Sequence, residues 1–361
     1  MGPINPERIA TSARNILSAV EIKFNRLMGR ELIPVYRDLL YIETSSVCNL
    51  KCRFCAYVKK QSPKVSMKDA FFKDCITQAI DMGYRRFELT PCTGDIFMDH
   101  HIFNKLDFLE TNPDVTSYQF FTNFTIPKPR DIERLVRLQK LSDLTISIYG
   151  HDLPSFIAIT GSTGKMYERL ISNLQVLFGL LKQTKFALAF GLRSTNRASR
   201  SASSDLMRLL KRFERAGIAI HSARLYNNWG GYITQADVKD LGIDIRGAED
   251  MYKGGACVHL FTTVQVMATG IVNGCACRDV DTTLRIGDLN ETPLRDILSS
   301  RNSSYMGLIE EQQRGEFRPI CQSCDYYKSI YHMRSTYRKE RVELQSLAEF
   351  KRRLDGTPAP L

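Results

Sequence analysis

The sequence predicts an α/β fold built on a parallel sheet, followed by a smaller cysteine-rich α+β region. Six short apolar segments recur after about residue 39, and amphipathic stretches at helical spacing lie between them. Beyond residue 256 the pattern changes, and cysteines 257, 275, 277, 321 and 324 gather there.

The elements follow in order. Residues 1–35 form an N-terminal helical segment around "ATSARNILSAVEIKFNRLMG". Strands are predicted at 39–45, 85–91, 115–121, 143–150, 185–192 and 218–226. Amphipathic helices are predicted at 67–83, with Gly83 as its stop, and at 165–182. Repeated strand-helix units imply right-handed crossovers, either in an open doubly wound sheet or in a partial (β/α) barrel. Both arrangements gather chemistry at the carboxyl ends of the strands. After "NNWGG" (227–231) the pattern breaks, which bounds the first domain at 36–231. A second region, 232–330, carries a β-hairpin at 262–275 and a short helix at 292–301 with Pro293 in its first turn. The polar stretch 334–354 reads as one long C-terminal helix within 331–361.

With 361 residues, 43% of them hydrophobic, the chain has room for roughly two domains. No apolar run approaches the roughly 18 residues of a membrane span, no cleavage signature follows Met1, and Pro6 does not suit a myristoylation site. The expectation is a cytoplasmic protein with no membrane partner. Ten cysteines in that compartment favour metal ligation or redox chemistry over disulfides. A net charge of +11 suits a phosphorylated substrate, an acidic protein partner, nucleic acid or merely a solvated basic surface. Nucleic acid is not expected, because the basic stretches lack interleaved aromatics for base stacking.

"SSVCNLKCRFCAY" (45–57) places Cys48, Cys52 and Cys55 directly after the first strand. Structural zinc wants four ligands, and none of the six histidines is near in sequence, although a distant ligand could complete such a site. Three thiolates on a 4Fe-4S cube instead leave one iron open to an exogenous ligand.

This C-x3-C-x2-C segment, with Phe54 before its last cysteine, resembles the signature of the radical S-adenosylmethionine (SAM) enzymes. The resemblance implies a partial (β/α)6 TIM-type barrel. It also implies an open iron that chelates SAM, and one-electron cleavage to a 5'-deoxyadenosyl radical that abstracts a substrate hydrogen. "CTGDIF" (92–97) resembles the family's Gly-Gly-Glu motif, with Asp95 in place of Glu and Thr93 in place of the first Gly. "FTNF" (121–124) resembles its third-strand Thr-Asn-Gly segment, which offers Asn123. Ser147 and Arg193 stand at fourth- and fifth-strand positions where relatives bind the SAM ribose and carboxylate.

Cys257, Cys275, Cys321 and Cys324 resemble the opening of the SPASM domain found in many of these enzymes. The continuation "CDYYKSIYHMRSTY" has no further cysteine, so the resemblance is to the truncated twitch form, in which four cysteines hold one auxiliary 4Fe-4S cluster. By spacing alone a zinc ribbon fits equally well. Of the remaining cysteines, Cys75 reads as packing within a helix. Cys277 and Cys92 are the candidate catalytic thiols, able to return a hydrogen atom to a substrate radical.

The resemblance thus implies two 4Fe-4S clusters, SAM, and a flavodoxin- or ferredoxin-type electron donor. The expected substrate is a polar small molecule, a sugar, cyclitol or nucleotide-linked sugar, phosphorylated forms included, which would be epimerised or dehydrogenated. Tyr149, His151, Tyr226, Asn228 and Trp229 are candidates to contact it or to pack between the domains. Modification of a ribosomally made peptide is an alternative, although 35 N-terminal residues are fewer than a leader-binding domain needs. A non-catalytic zinc or nucleic-acid module is another.

Overall fold

The computed structural model describes residues 6–35, 38–90, 92–195, 203–223, 225–249, 251–276 and 278–356, with side chains in the first helix from residue 15 onward. Its centre is a nine-stranded sheet. The strands are β1 (Leu39–Ile42), β2 (Arg86–Glu88), β3 (Ser117–Thr122), β4 (Leu141–Tyr149), β5 (Ala187–Arg193), β6 (Ala219–Ser222), β7 (Gln265–Val266), β8 (Ile271–Asn273) and β9 (Arg285–Asp288).

Strands β1 to β6 are parallel and lie side by side in chain order. A doubly wound sheet would reverse that order at a switch point. The unbroken succession, with a helical crossover between each pair of strands, is that of a partial (β/α)6 barrel. Alternation along the strands separates two faces. Leu40, Ile42, Phe87, Phe120, Leu144, Ile146, Phe190 and Leu192 are buried beneath the helices. In helix Asp69–Asp81, Phe72, Cys75, Ile76 and Ala79 form the packing stripe, and Gly83 at φ +93° follows its end. The opposite face of the strands lines the lumen. Register brings Tyr41, Glu88 and Gln119 into one layer, Phe121, Thr145 and Ala189 into the next, and Ser147 beside Gly191 above them.

The hairpin of the cysteine-rich region does not stand apart. Its strand β7 pairs in parallel with β1, matching Gln265 to Tyr41, and β8 and β9 continue the sheet outward. The auxiliary cysteines are thereby attached to the barrel strand that carries the first cysteine motif.

Three expectations need correction. The sixth strand ends at Ser222, and Leu225–Tyr226 instead pairs with Asp244–Ile245 in a separate two-stranded sheet. The helix expected at 292–301 is short, Leu294–Ile297, and is followed by a longer one, Ser303–Arg314, capped by Asn302. The single C-terminal helix is two, Ser335–Lys339 and Leu347–Asp355. Between them Arg341 takes φ +52°, and Leu344–Gln345 pairs antiparallel with Ile33–Pro34. Ser346 and Glu349 then form a capping box that starts the last helix, a signal present in the sequence as S-x-x-E.

Candidate metal centres

The first cysteine motif occupies the loop leaving the carboxyl end of β1, and this loop is anchored on three sides. Lys51 and Arg53 donate their backbone N–H groups to Thr160 and Ile159, at 2.9 and 3.0 Å. The Arg53 side chain forks onto both oxygens of Asp240 at 2.7 Å, and Lys59 pairs with Asp237 at 2.8 Å. Farther along, the N–H groups of Gln61 and Ser62 donate to Asp281 of the cysteine-rich region, at 2.9 and 2.8 Å.

Residues of "CTGDIF" close over the loop from β2. Gly94 at φ +120° lies against the backbone of Ser45 and Ser46, and the Asp95 N–H donates to Val47 O at 2.8 Å. The Asp95 carboxylate is 2% exposed and accepts from Phe97 N, Thr122 Oγ1 and Asn123 N. Burial pushes it up to about 6 despite those donors. The Asn123 amide donates to Asn49 Oδ1 at 2.9 Å and to Cys48 Sγ at 3.9 Å, while its oxygen accepts from Thr125. Both ends of that amide are engaged with the loop and its neighbours.

Phe54 is buried, its ring 5.4 Å from Tyr149 and 5.0 Å from Tyr226, with the Arg193 guanidinium 5.5 Å from its centroid. Burial drives the thiols upward, Cys48 to about 12 and Cys52 and Cys55 in the same direction, while Arg193 pulls the latter two back down. The Arg193 guanidinium makes no hydrogen bond or ion pair with a described residue. Ser147 is half-buried on the lumen face of β4. Phe54, Asp95, Asn123 and Arg193 therefore converge on the cysteine loop, while Ser147 lies on the adjoining lumen wall.

The second group lies in the cysteine-rich region. Cys257, Cys275, Cys321 and Cys324 act electrostatically on one another, and burial pushes Cys257 to about 12 and Cys324 to about 11. N–H groups face their sulfurs: Lys328 N at 3.5 Å from Cys257, Tyr326 N at 3.3 Å from Cys324, and Gln312 Nε2 at 3.4 Å from Cys321. Lys253 Nζ gathers the carbonyls of Cys321, Gln322 and Cys324. The sequence reading missed Gln312 and Lys253. Gln312 lies in the unanticipated helix Ser303–Arg314, and no local motif marks either residue.

The two groups are joined by the "NNWGG" segment. Trp229 Nε1 donates to Phe54 O at 2.9 Å, and Asn228 Nδ2 donates to Ser323 O at 2.6 Å. Trp229 and Asn228 thus tie the two cysteine loops together. Tyr149 and Tyr226 pack on Phe54, and His151 Nδ1 meets Ser194 Oγ at 2.7 Å. Cys92 is buried with Ala56, Trp229 and Val280 between the loops. Cys277 lies outside the described residues.

Two consequences are measurable. Removing the amide in Asn123→Ala takes away a hydrogen bond to the Cys48 sulfur, and such bonds raise cluster potentials. A redox titration followed by electron paramagnetic resonance is expected to show the first cluster shifted to a lower potential and the auxiliary one unchanged. Glu43, at the end of β1, is 1% exposed, and burial raises it from 4.5 to about 7, opposed by Lys60 and the Ala268 N–H. An acid that keeps its proton longer when folded costs stability as pH rises between those values, up to about 3 kcal/mol. Urea midpoints at pH 5 and pH 8 should differ less in Glu43→Gln than in the unaltered protein.

Comparison with known proteins agrees with this architecture. Residues 257–325 match the family described as the SPASM iron-sulfur cluster-binding domain. The fold is shared with BtrN crystallised with AdoMet and 2-DOIA, at a TM-score of 0.51 and 13% identity over 82% of this chain and 96% of that one. It is shared with Streptococcus suis SuiB bound to the precursor peptide SuiA, at 0.51 and 16% over 92% and 81%. AnSMEcpe with bound AdoMet aligns at 0.51 and 11% over 88% and 91%. No curated protein sequence matches. The chain therefore shares the fold of these AdoMet-bound structures, and its residues 257–325 match the SPASM iron-sulfur cluster-binding domain.

Proposed function

We propose that this protein is a radical SAM enzyme acting on a C–H bond of a polar small molecule. The observation that carries the reading is the pairing of a three-cysteine loop at the barrel's carboxyl mouth with a separate four-cysteine group, joined through Asn228 and Trp229. Cys48, Cys52 and Cys55 would hold a 4Fe-4S cluster open to SAM, and Cys257, Cys275, Cys321 and Cys324 an auxiliary cluster with no open iron. When bound, the first cluster and SAM would supply a 5'-deoxyadenosyl radical for hydrogen abstraction.

The chain's own residues have separable tasks. Arg193 offers its unpaired fork to the SAM carboxylate, beside the Phe54 ring. Asp95 orders the 95–98 turn and the β3 end through three donors, and its carboxylate would supply a charge for the SAM ammonium. Asn123 acts through the loop as a positioning residue, and Ser147 extends the polar wall toward the ribose. The lumen layers of Tyr41, Glu88, Gln119, Thr145 and Ser147 favour a hydroxyl-rich substrate such as a sugar or cyclitol. Cys92 or Cys277 would return a hydrogen in an epimerisation, whereas the auxiliary cluster would accept the second electron in a dehydrogenation. A flavodoxin- or ferredoxin-type protein would supply the first electron.

The test is anaerobic reconstitution with reductant, SAM and candidate sugars in deuterated water. Deuterium at an inverted carbon means epimerisation, and a two-dalton mass loss means dehydrogenation. Cys92→Ala is expected to stall an epimerase after SAM cleavage. Absence of 5'-deoxyadenosine from fully loaded protein would end the proposal.

A further inference from the structure

A cavity of about 230 Å³ lies outside the barrel lumen, beside the auxiliary cysteines. One wall is the segment that follows Cys324, from Asp325 to Ser329, and another is the inner face of helix Pro6–Leu27 at Ile22. Arg246 closes it from the barrel rim, where its N–H donates to Tyr226 O at 2.8 Å. Its volume is below the roughly 300–1,000 Å³ of pockets for drug-sized ligands, so it suits a small occupant.

Its polar groups are incompletely used. Asp325 is 1% exposed: Oδ1 accepts from Arg278 Nε at 3.4 Å, while Oδ2 is buried with no hydrogen-bond partner. An orphaned carboxylate oxygen at that depth is costly unless an O–H or N–H donor arrives. Facing the same space, the guanidinium groups of Arg246 and Arg334 make no hydrogen bond or ion pair with a described residue. Lys328 adds a third cation, its Nζ 3.2 Å from Tyr326 Oη and 4.4 Å above that ring. With Asp325 already opposed by Arg278, the balance of the lining is positive.

An occupant that satisfies this set must carry an anion for two planar forks and a hydroxyl for the carboxylate. We infer that the cavity binds the phosphate monoester of a small polyol, with the phosphate on Arg246 and Arg334 and a hydroxyl on Asp325. Guanidinium forks match phosphate oxygens bidentately, and Lys328 contributes a point charge beside them. This site goes beyond the small-molecule reading above, whose substrate enters the lumen, and its occupancy does not depend on that reading.

The experiment is calorimetric titration of the anaerobic, cluster-loaded protein with glucose 6-phosphate, glucose and inorganic phosphate. Glucose 6-phosphate is expected to saturate one site and glucose to show no binding. Arg246→Gln and Arg334→Gln should each weaken glucose 6-phosphate about tenfold, the loss of one charge-assisted contact. Asp325→Asn should weaken glucose 6-phosphate while inorganic phosphate binds as well or better, a split that misfolding would not produce. Unchanged visible absorption of the clusters checks that the variants are intact, and Arg334→Lys should recover part of the affinity. The assignment is overturned if glucose 6-phosphate fails to saturate, or if both arginine variants bind it like the unaltered protein. SAM cleavage in the same preparation reports separately on the radical reading. Its absence beside intact glucose 6-phosphate binding defeats that reading and leaves the cavity's role standing.

Discussion

Replacing Cys48, Cys52 and Cys55 together with alanine is expected to lower iron from about eight to about four atoms per chain and to abolish SAM cleavage. The remaining iron should be held by Cys257, Cys275, Cys321 and Cys324, whose contacts with Gln312, Lys253 and Lys328 do not pass through the first loop. The reciprocal variant, Cys321→Ala with Cys324→Ala, should keep the first cluster and its cleavage of SAM while product formation fails. Iron analysis and 5'-deoxyadenosine release read both. Cleavage surviving in the triple variant would remove the basis for assigning the open site to the β1 loop.

Gly94→Ala should be the most damaging single-atom addition near that site. An alanine Cβ there would lie 2.6 Å from Ser45 O and 2.9 Å from Ser46 C, and it would also have to adopt φ +120°. Both opposing atoms are backbone, so no rotamer change relieves the clash. Strain of this kind costs about 1–3 kcal/mol before the displaced loop is counted. The loop that moves is the one bearing Cys48, and Asp95 N would lose Val47 O with it. The expected result is a lower thermal midpoint with the first cluster depleted and the auxiliary iron retained. A variant with full iron and unchanged melting would show that the two loops can separate without consequence.

Much of this was legible in the chain itself. The six barrel strands announced themselves by alternation, because one face packs under helices and the other lines a lumen. Their order needed the structure, since doubly wound and barrel arrangements share the same local pattern. The C-x3-C-x2-C and C-x2-C segments could be read because thiol spacing within a loop is a local property, whereas Cys257 and Cys275 joined the second set only through the family resemblance. What failed was long-range. Leu344–Gln345 is a strand only because Ile33–Pro34 lies beside it, and nothing within 334–354 announces that partner. The sixth strand stops at Ser222 although Leu225–Tyr226 is apolar enough to continue it, because that pair finds Asp244–Ile245 instead. The contacts of the Asn123 amide with Asn49, Cys48 and Thr125 likewise lie beyond any local motif. The linking roles of Asn228 and Trp229 depend on groups 95 and 175 residues away in sequence, a relation no spacing rule contains.

The sheet running unbroken from β9 to β6 has an implication for dissection of the molecule. A construction ending at Gly231 would strip β7 from β1 and leave the amides and carbonyls of Leu39–Ile42 as a raw border, which invites self-association. Excision of the auxiliary half should therefore yield aggregates rather than a trimmed catalyst. Evolution, for the same reason, would find this appendage harder to shed than a tethered bead.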